Sequence, residues 1–140
     1  MKVQIKLLNE NCRPYRKYRL DAGFDLRANI KEPLMLFPGV MHKIPTGVCI
    51  SIKPGYYGDV RGRSGLAEQG IICPGGTIDA GYSGEIHVVL FCVKLVQFIN
   101  PYERIAQISI KQIPMIELVE VERLEGGERG DQGFGSTGRL

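Results

Sequence analysis

The chain has 140 residues, 44% of them hydrophobic, and a formal net charge of +3. That length holds one domain with a single core, and the hydrophobic share excludes a disordered body. The charge is too mild to imply a nucleic-acid duplex as partner.

Strand signals dominate from the first residues. Val3, Ile5 and Leu7 alternate with Lys2, Gln4 and Lys6, the pattern of a half-buried strand. The same stretch lacks the apolar core of a secretory signal, and no apolar run approaches the roughly 18 residues of a membrane span. A basic stretch follows, Arg13-Pro-Tyr-Arg16-Lys17-Tyr-Arg19, and reads as a solvated loop with interleaved aromatics. Further short β-rich runs occupy Leu34–Phe37, Val40–Ile44, Val48–Ile52, Tyr56–Arg61, Glu85–Phe91, Leu95–Ile99, Arg104–Ile113 and Ile116–Val121. Turn signals separate them, among them Phe37-Pro-Gly39, Pro45-Thr-Gly47, Lys53-Pro-Gly55, Cys73-Pro-Gly-Gly76 and Asn100-Pro101. Such spacing predicts an all-β sandwich or barrel, with one short helix over Ser64–Gln69. Residues 1–125 form the expected domain, and 126–140 a flexible tail.

Cys12, Cys49, Cys73 and Cys92 make no C-x-x-C pair, and with His42 and His87 they show no zinc spacing. A reducing compartment is therefore expected: intracellular and cytoplasmic, or nuclear in a eukaryotic source.

Five segments are too polar for their surroundings. In Asp21-Ala-Gly-Phe-Asp25-Leu-Arg-Ala28, the Asp25 acid could face a metal or a sugar, or simply end a turn into a strand. Gly62-Arg63-Ser64-Gly65-Leu66-Ala67 offers a guanidinium, a hydroxyl and free N–H groups to an anion; it equally suits a helix capped by Ser64. In Gly76-Thr-Ile-Asp79-Ala-Gly-Tyr82-Ser-Gly84-Glu-Ile86, Asp79 can take a proton from water at a hairpin mouth, or make its own turn. Tyr82 beside it serves packing or supports a ring. In Arg104-Ile-Ala-Gln107-Ile-Ser-Ile110, the Gln107 amide needs partners, whether a ligand or a neighbouring strand. The tail GGERGDQGFGSTGRL has six glycines and no apolar periodicity. Either it stays disordered or it closes over a polyanion, with glycine N–H groups, Arg129, Ser136 and Thr137 on phosphates and Phe134 on a base. It is no Walker loop, because Ser136 stands where the lysine would be.

In order, DAGFDLRA, GRSGLA, GTIDAGYSGEI, ERIAQISI and RGDQGFGSTG resemble the five motifs of the trimeric deoxyuridine triphosphatases. The resemblance runs from Asp21 to Gly138. It implies a distorted β jelly roll of the β-clip type that assembles as a homotrimer, each active site drawing on all three chains. It implies hydrolysis of dUTP to dUMP and pyrophosphate with Mg²⁺, which limits uracil incorporation into DNA and supplies dUMP for thymidylate synthesis. By match to the motifs, Asp79 is the general base for water attacking the α-phosphorus. Tyr82 lies under the deoxyribose, and the hairpin from Gly76 through Thr77 and Ile78 to His87 reads uracil. Arg63, Ser64 and Gly65 bind phosphates, while Gln107 and Asp25 reach the metal through water. In the tail, Phe134 covers uracil and Arg129, Gly135, Ser136 and Thr137 close on the phosphates. Neither a nucleic acid nor a membrane is an expected partner.

Five positions depart from the family pattern: Phe24, Gly81, His87 and the Tyr102-Glu103 pair; none removes a catalytic group. A deoxycytidine triphosphate deaminase of the same fold is the nearest rival, but it uses a glutamate base in a different third motif. A non-catalytic nucleotide-binding regulator would be expected to lack Asp79, the arginines or the tail.

Overall fold

The computed structural model of the protein describes residues 1–126. Ten strands and one helix are formed within them. The strands are β1 (Gln4–Leu7), β2 (Phe24–Arg27), β3 (Leu34–Leu36), β4 (His42–Ser51), β5 (Tyr56–Arg61), β6 (Ile71–Ile72), β7 (Gly76–Ile78), β8 (Glu85–Cys92), β9 (Gln97–Ile99) and β10 (Arg104–Gln112). The helix, α1, covers Ser64–Glu68.

One sheet has the order β1-β4-β8-β6, and a second has β2-β10-β5-β7; β3 and β9 make a separate ribbon. Every ladder between strands is antiparallel. Strand alternation sends one side of each sheet inward. Val48, Ile50, Ile86, Val88 and Leu90 from the first sheet meet Leu26, Val60, Ala106 and Ile108 from the second in one buried cluster. Two four-stranded antiparallel sheets packed in this way form the jelly-roll-like sandwich that the spacing predicts.

Three differences from the sequence reading have physical causes. The turn signal Pro45-Thr-Gly47 does not divide two strands, because β4 runs through it. The pairing with β8 shifts register between Pro45 and Cys49, so the punctuation marks a bulge. Gly47 sits there at φ +69°, and its N–H donates to Glu85 Oε1 at 2.7 Å. Thr46 is fully buried and donates from Oγ1 to Ile86 O at 2.7 Å, which stitches the same bulge to β8.

Second, Ile116–Val121 forms no strand. Ile116, Leu118 and Val119 are 75%, 91% and 73% exposed, so nothing among the described residues covers them. Apolar alternation predicts a strand only where a partner edge exists. Third, the β2, β6 and β7 strands lie in segments that read as polar motifs or turns. They pair because β10, β8 and β5 offer edges to them.

The bulge supports a stability prediction. An alanine Cβ at Gly47 would stand 2.9 Å from Cys12 Cβ in a backbone region that L-residues avoid. Gly47→Ala should lose about 1–3 kcal/mol, read as a lowered urea midpoint at unchanged slope. A midpoint equal to wild type would mean that the bulge relaxes freely.

Candidate active site

Antiparallel pairing brings three of the polar segments together. Gln107 on β10 lies opposite Asp25 on β2 and Arg61 on β5. Arg63 and Arg104 stand at the same end of the sheet. Asp25 Oδ1 takes the Arg63 Nε at 3.2 Å, and Asp25 Oδ2 takes Arg104 Nη1 at 3.1 Å. Arg63 also donates from Nη1 to Arg104 O at 3.0 Å. One carboxylate thus orders two guanidiniums, and each of its oxygens is used once.

Gln107 completes the group. Its Nε2 donates to Gly62 O at 3.4 Å. A Cβ on Gly23 would stand 2.9 Å from Gln107 Oε1, so the glycine is what lets the amide lie against β2. The cross-strand partner expected for this amide is therefore a backbone carbonyl of the Arg63 loop. Tyr15 joins from outside the motifs. It exchanges two backbone hydrogen bonds with Asp25, and the Arg104 guanidinium lies 5.5 Å from its ring centroid. The sequence reading did not assign Tyr15 or Arg104 to the site; the signal for Tyr15 was the aromatic in the basic stretch, and for Arg104 its place at the head of the Gln107 segment.

Ser64 opens α1 as its first helical residue, and Arg63 is the N-cap in extended conformation with no side-chain cap. The capping alternative for Ser64 does not hold. Gly65 has open space around its α-carbon.

The segment from β7 to β8, read in the sequence as a hairpin, instead joins strands of different sheets that do not pair with each other, and it builds a second group. Its turn closes with Tyr82 N–H donating to Asp79 O at 3.2 Å, and Gly81 at φ +92° makes that turn. Asp79 therefore does shape a turn, but with its carbonyl. Its carboxylate is exposed, with no hydrogen bond or ion pair among the described residues. Tyr82 folds its ring onto Gly84, where a Cβ would stand 2.6 Å from the hydroxyl oxygen. That hydroxyl donates to Glu85 O at 2.9 Å, which tethers the far end of the ring. Asp79, Tyr82, Thr77, Ile78 and His87 line one cavity of about 220 Å³, with Lys43 of β4 also in its lining. His87 is exposed and places Nδ1 3.0 Å from Glu85 O. Gly76 begins β7 opposite Val60.

None of Asp25, Arg63, Ser64, Gly65 or Gln107 lines that cavity. One chain therefore presents two groups, a cationic one with an amide and a cavity with a free carboxylate. Arg129, Phe134, Gly135, Ser136 and Thr137 lie outside the described residues.

Nearby, Asp59 opposes Thr77 across β5 and β7. It is held below the usual carboxylate range by hydrogen bonds from Lys111 and then Arg61. Arg61 Nε reaches its two oxygens at 2.9 and 3.0 Å. Burial pushes the Cys73 thiol up, away from reactivity.

A fixed cationic group and, apart from it, a ring platform with an exposed acid, both set on a jelly roll, suit a nucleotide-binding hydrolase. Comparison with known proteins narrows the class. A dUTPase family model matches residues 10–138, and the chain belongs to the dUTPase family. The deoxyuridine 5'-triphosphate nucleotidohydrolase of Fusobacterium nucleatum subsp. nucleatum is 42% identical over 144 residues, covering 99% of each chain. The protein of the same description from Chlamydia trachomatis serovar L2 is 41% identical over 143 residues, again covering 99% of each. Among solved structures, the Staphylococcus bacteriophage 80alpha dUTPase with dUPNHPP superposes with a TM-score of 0.83 at 32% identity over 99% of both chains. A mutant dUTPase from phage phi11 of S. aureus, described with a structural Mg(II) ion, gives 0.77 at 28% identity, covering 90% of this chain and 100% of that one.

The shared carboxylate makes a coupling prediction. Asp25→Asn should cost about 1–3 kcal/mol of stability, the usual loss for a charge-assisted bond. Combined with Arg63→Met in a double-mutant cycle, it should show a coupling of at least about 0.5 kcal/mol. Strict additivity would mean that the two groups do not interact in solution.

Proposed function

We propose that this chain hydrolyses dUTP to dUMP and pyrophosphate, with Asp79 as the general base. The observation that carries the reading is the Asp79 carboxylate, free of partners among the described residues and lining one cavity with Tyr82, whose hydroxyl is held by Glu85 O. A carboxylate with no internal donor keeps its lone pairs for a water molecule. Asp79 takes a proton as that water's oxygen bonds to the α-phosphorus. The bond from the α-phosphorus to the bridging oxygen breaks, and pyrophosphate leaves.

The remaining residues position and screen. Tyr82 supports the deoxyribose and leaves no room for a 2′-hydroxyl. Backbone groups of the Gly76–His87 segment read the uracil edge, where a wrong base leaves polar groups unpaired. Arg63, with Ser64 and Gly65, meets the phosphates; Asp25 keeps its guanidinium aimed. In the tail, Phe134 covers the base while Arg129, Gly135, Ser136 and Thr137 close over the phosphates.

Mg²⁺ is the proposed cofactor. Among the described residues no three acid, histidine or cysteine side chains converge, so the chain holds no metal cage there. Both Asp25 oxygens face guanidiniums, and Gln107 is an amide. That donor set fits an ion carried by the phosphates and reached by Asp25 and Gln107 through water. Bound there, the ion supplies positive charge against the triphosphate.

A homotrimer with shared sites is the proposed assembly. The sandwich is open beside β1, where a cavity of about 340 Å³ is lined by Val3, Ile5, Phe24, Val48, Ile86 and Ile108. The chain also carries an uncovered apolar arm, with Met115, Ile116, Leu118, Val119 and Val121 all exposed. An arm from a neighbouring copy fills such an opening and leaves two groups of one site on different chains. No described helix is long and apolar enough to cross a membrane. The four cysteines are free thiols, which suits the proposed intracellular, cytoplasmic location.

Pyrophosphate release from dUTP tests the function directly. Asp79→Asn should lower kcat by ~10²–10⁴ while keeping affinity for a non-hydrolysable dUTP analogue. A rate within threefold of wild type would remove Asp79 from the base role. For the assembly, sedimentation equilibrium should give three times the 15.6 kDa chain mass. Leu118→Asp, neutral for an isolated chain in which this residue is exposed, should reduce that mass; a monomeric wild type would overturn the trimer.

A further inference from the structure

The basic stretch Arg13–Arg19 is not used by the reaction as described. It carries four cations in seven residues and no acid. Arg13 is neutralised by Glu10 through a contact of 2.8 Å. Asp21, the acid that follows the stretch, is engaged by its own turn, accepting from Tyr18 N–H at 3.0 Å. Among the described residues, Arg16, Lys17 and Arg19 form no ion pair. All three are exposed.

These charges are not on a loose loop. Tyr15 is fastened to Asp25 by two backbone hydrogen bonds of 3.1 and 2.7 Å. That bridge anchors the segment beside the carboxylate that orders Arg63 and Arg104. Arg16 stacks on Phe24, its guanidinium carbon 4.5 Å from the ring centroid, and Lys17 stands 5.1 Å from the Tyr18 ring. Aromatic faces hold these cations in place without consuming their charge. Arg63 and Arg104 share a single acid, so the cationic group is itself under-neutralised. Three further cations, unpaired among the described residues, lie on the segment that Tyr15 pins to Asp25 and add to that positive potential.

We propose that Arg16, Lys17 and Arg19 form a cationic entry rim that captures the polyphosphate of the incoming nucleotide and passes it to Arg63. The ligand class is a linear polyphosphate, free or carried by a nucleoside. The inference rests on the proposed function only in taking Arg63 as the phosphate-binding end. A rim of this kind acts on encounter. It raises the association rate through its field and leaves the chemical step alone. Its effect must therefore fade as salt shortens the screening length, from about 30 Å at 0.01 M to about 3 Å at 1 M.

The test uses the full chain with Arg16→Gln, Lys17→Gln and Arg19→Gln combined, beside a charge-keeping Arg16→Lys, Arg19→Lys control. At about 0.01 M salt, kcat/KM for dUTP should fall about tenfold in the triple variant. Its kcat should stay within twofold of wild type, and the control should behave as wild type. At about 1 M salt the triple variant and wild type should converge. A kcat/KM equal to wild type at low salt, or an equal loss at every salt concentration, would overturn the rim.

Calorimetric titration with inorganic tripolyphosphate gives a readout free of turnover. Affinity should be lower in the triple variant at low salt; equal affinity would overturn the proposal. If wild type releases no pyrophosphate from dUTP, the proposed function fails, and this titration alone decides the rim. A single-stranded oligonucleotide that binds wild type but not the variant, with tripolyphosphate affinity unchanged, would reassign the stretch to nucleic acid and likewise overturn the proposal.

Discussion

Asp25 stands between two guanidiniums, and much of the cationic group depends on that arrangement. Removed from water, Arg63 and Arg104 would repel each other at the end of the second sheet. One carboxylate with an oxygen for each makes their approach favourable and fixes their direction. Its position is set by β2 pairing with β10, which places Asp25 opposite Gln107. The amide in turn reaches the carbonyl of Gly62, next to Arg63. Three segments far apart in the chain are thereby closed into one polar group, and the core beneath β10 keeps them in register.

The β7–β8 segment follows a different logic. Its parts are neighbours in sequence, so local conformation does most of the work. Gly81 supplies the backbone angle for the turn, and Gly84 leaves space for the Tyr82 ring. Glu85 ties the start of β8 to the β4 bulge through Gly47. That tie gives the turn carrying Asp79 a fixed anchor, as the proposed role of its carboxylate requires. In the proposed trimer the two groups and the exposed apolar segment belong together: the first would be completed by neighbours, and the second would be covered by them.

Strand positions in the β5, β8 and β10 region were legible because alternation and turn residues report directly on which side chains face a core. The helix at Ser64 was legible for the same local reason. The β4 strand was not, since Pro45 and Gly47 give one signal for a turn and for a bulge, and only the β8 partner distinguishes them. The Ile116–Val121 run failed in the opposite sense: its alternation is real, but no edge among the described residues receives it.

By itself the sequence determined the all-β class, the short helix, the family and the residue types offered to a nucleotide. These follow from periodicity and from contiguous motifs, which need no knowledge of distant partners. Only the tertiary structure decided that Asp25 is shared by Arg63 and Arg104, that Gln107 is held at Gly62, that Tyr15 joins the group, and that Asp79 and Tyr82 line a separate cavity. The reason is register. A shift of one residue in β2 against β10 would turn Asp25 to the other face of the sheet, and no local pattern records which alignment the buried core selects.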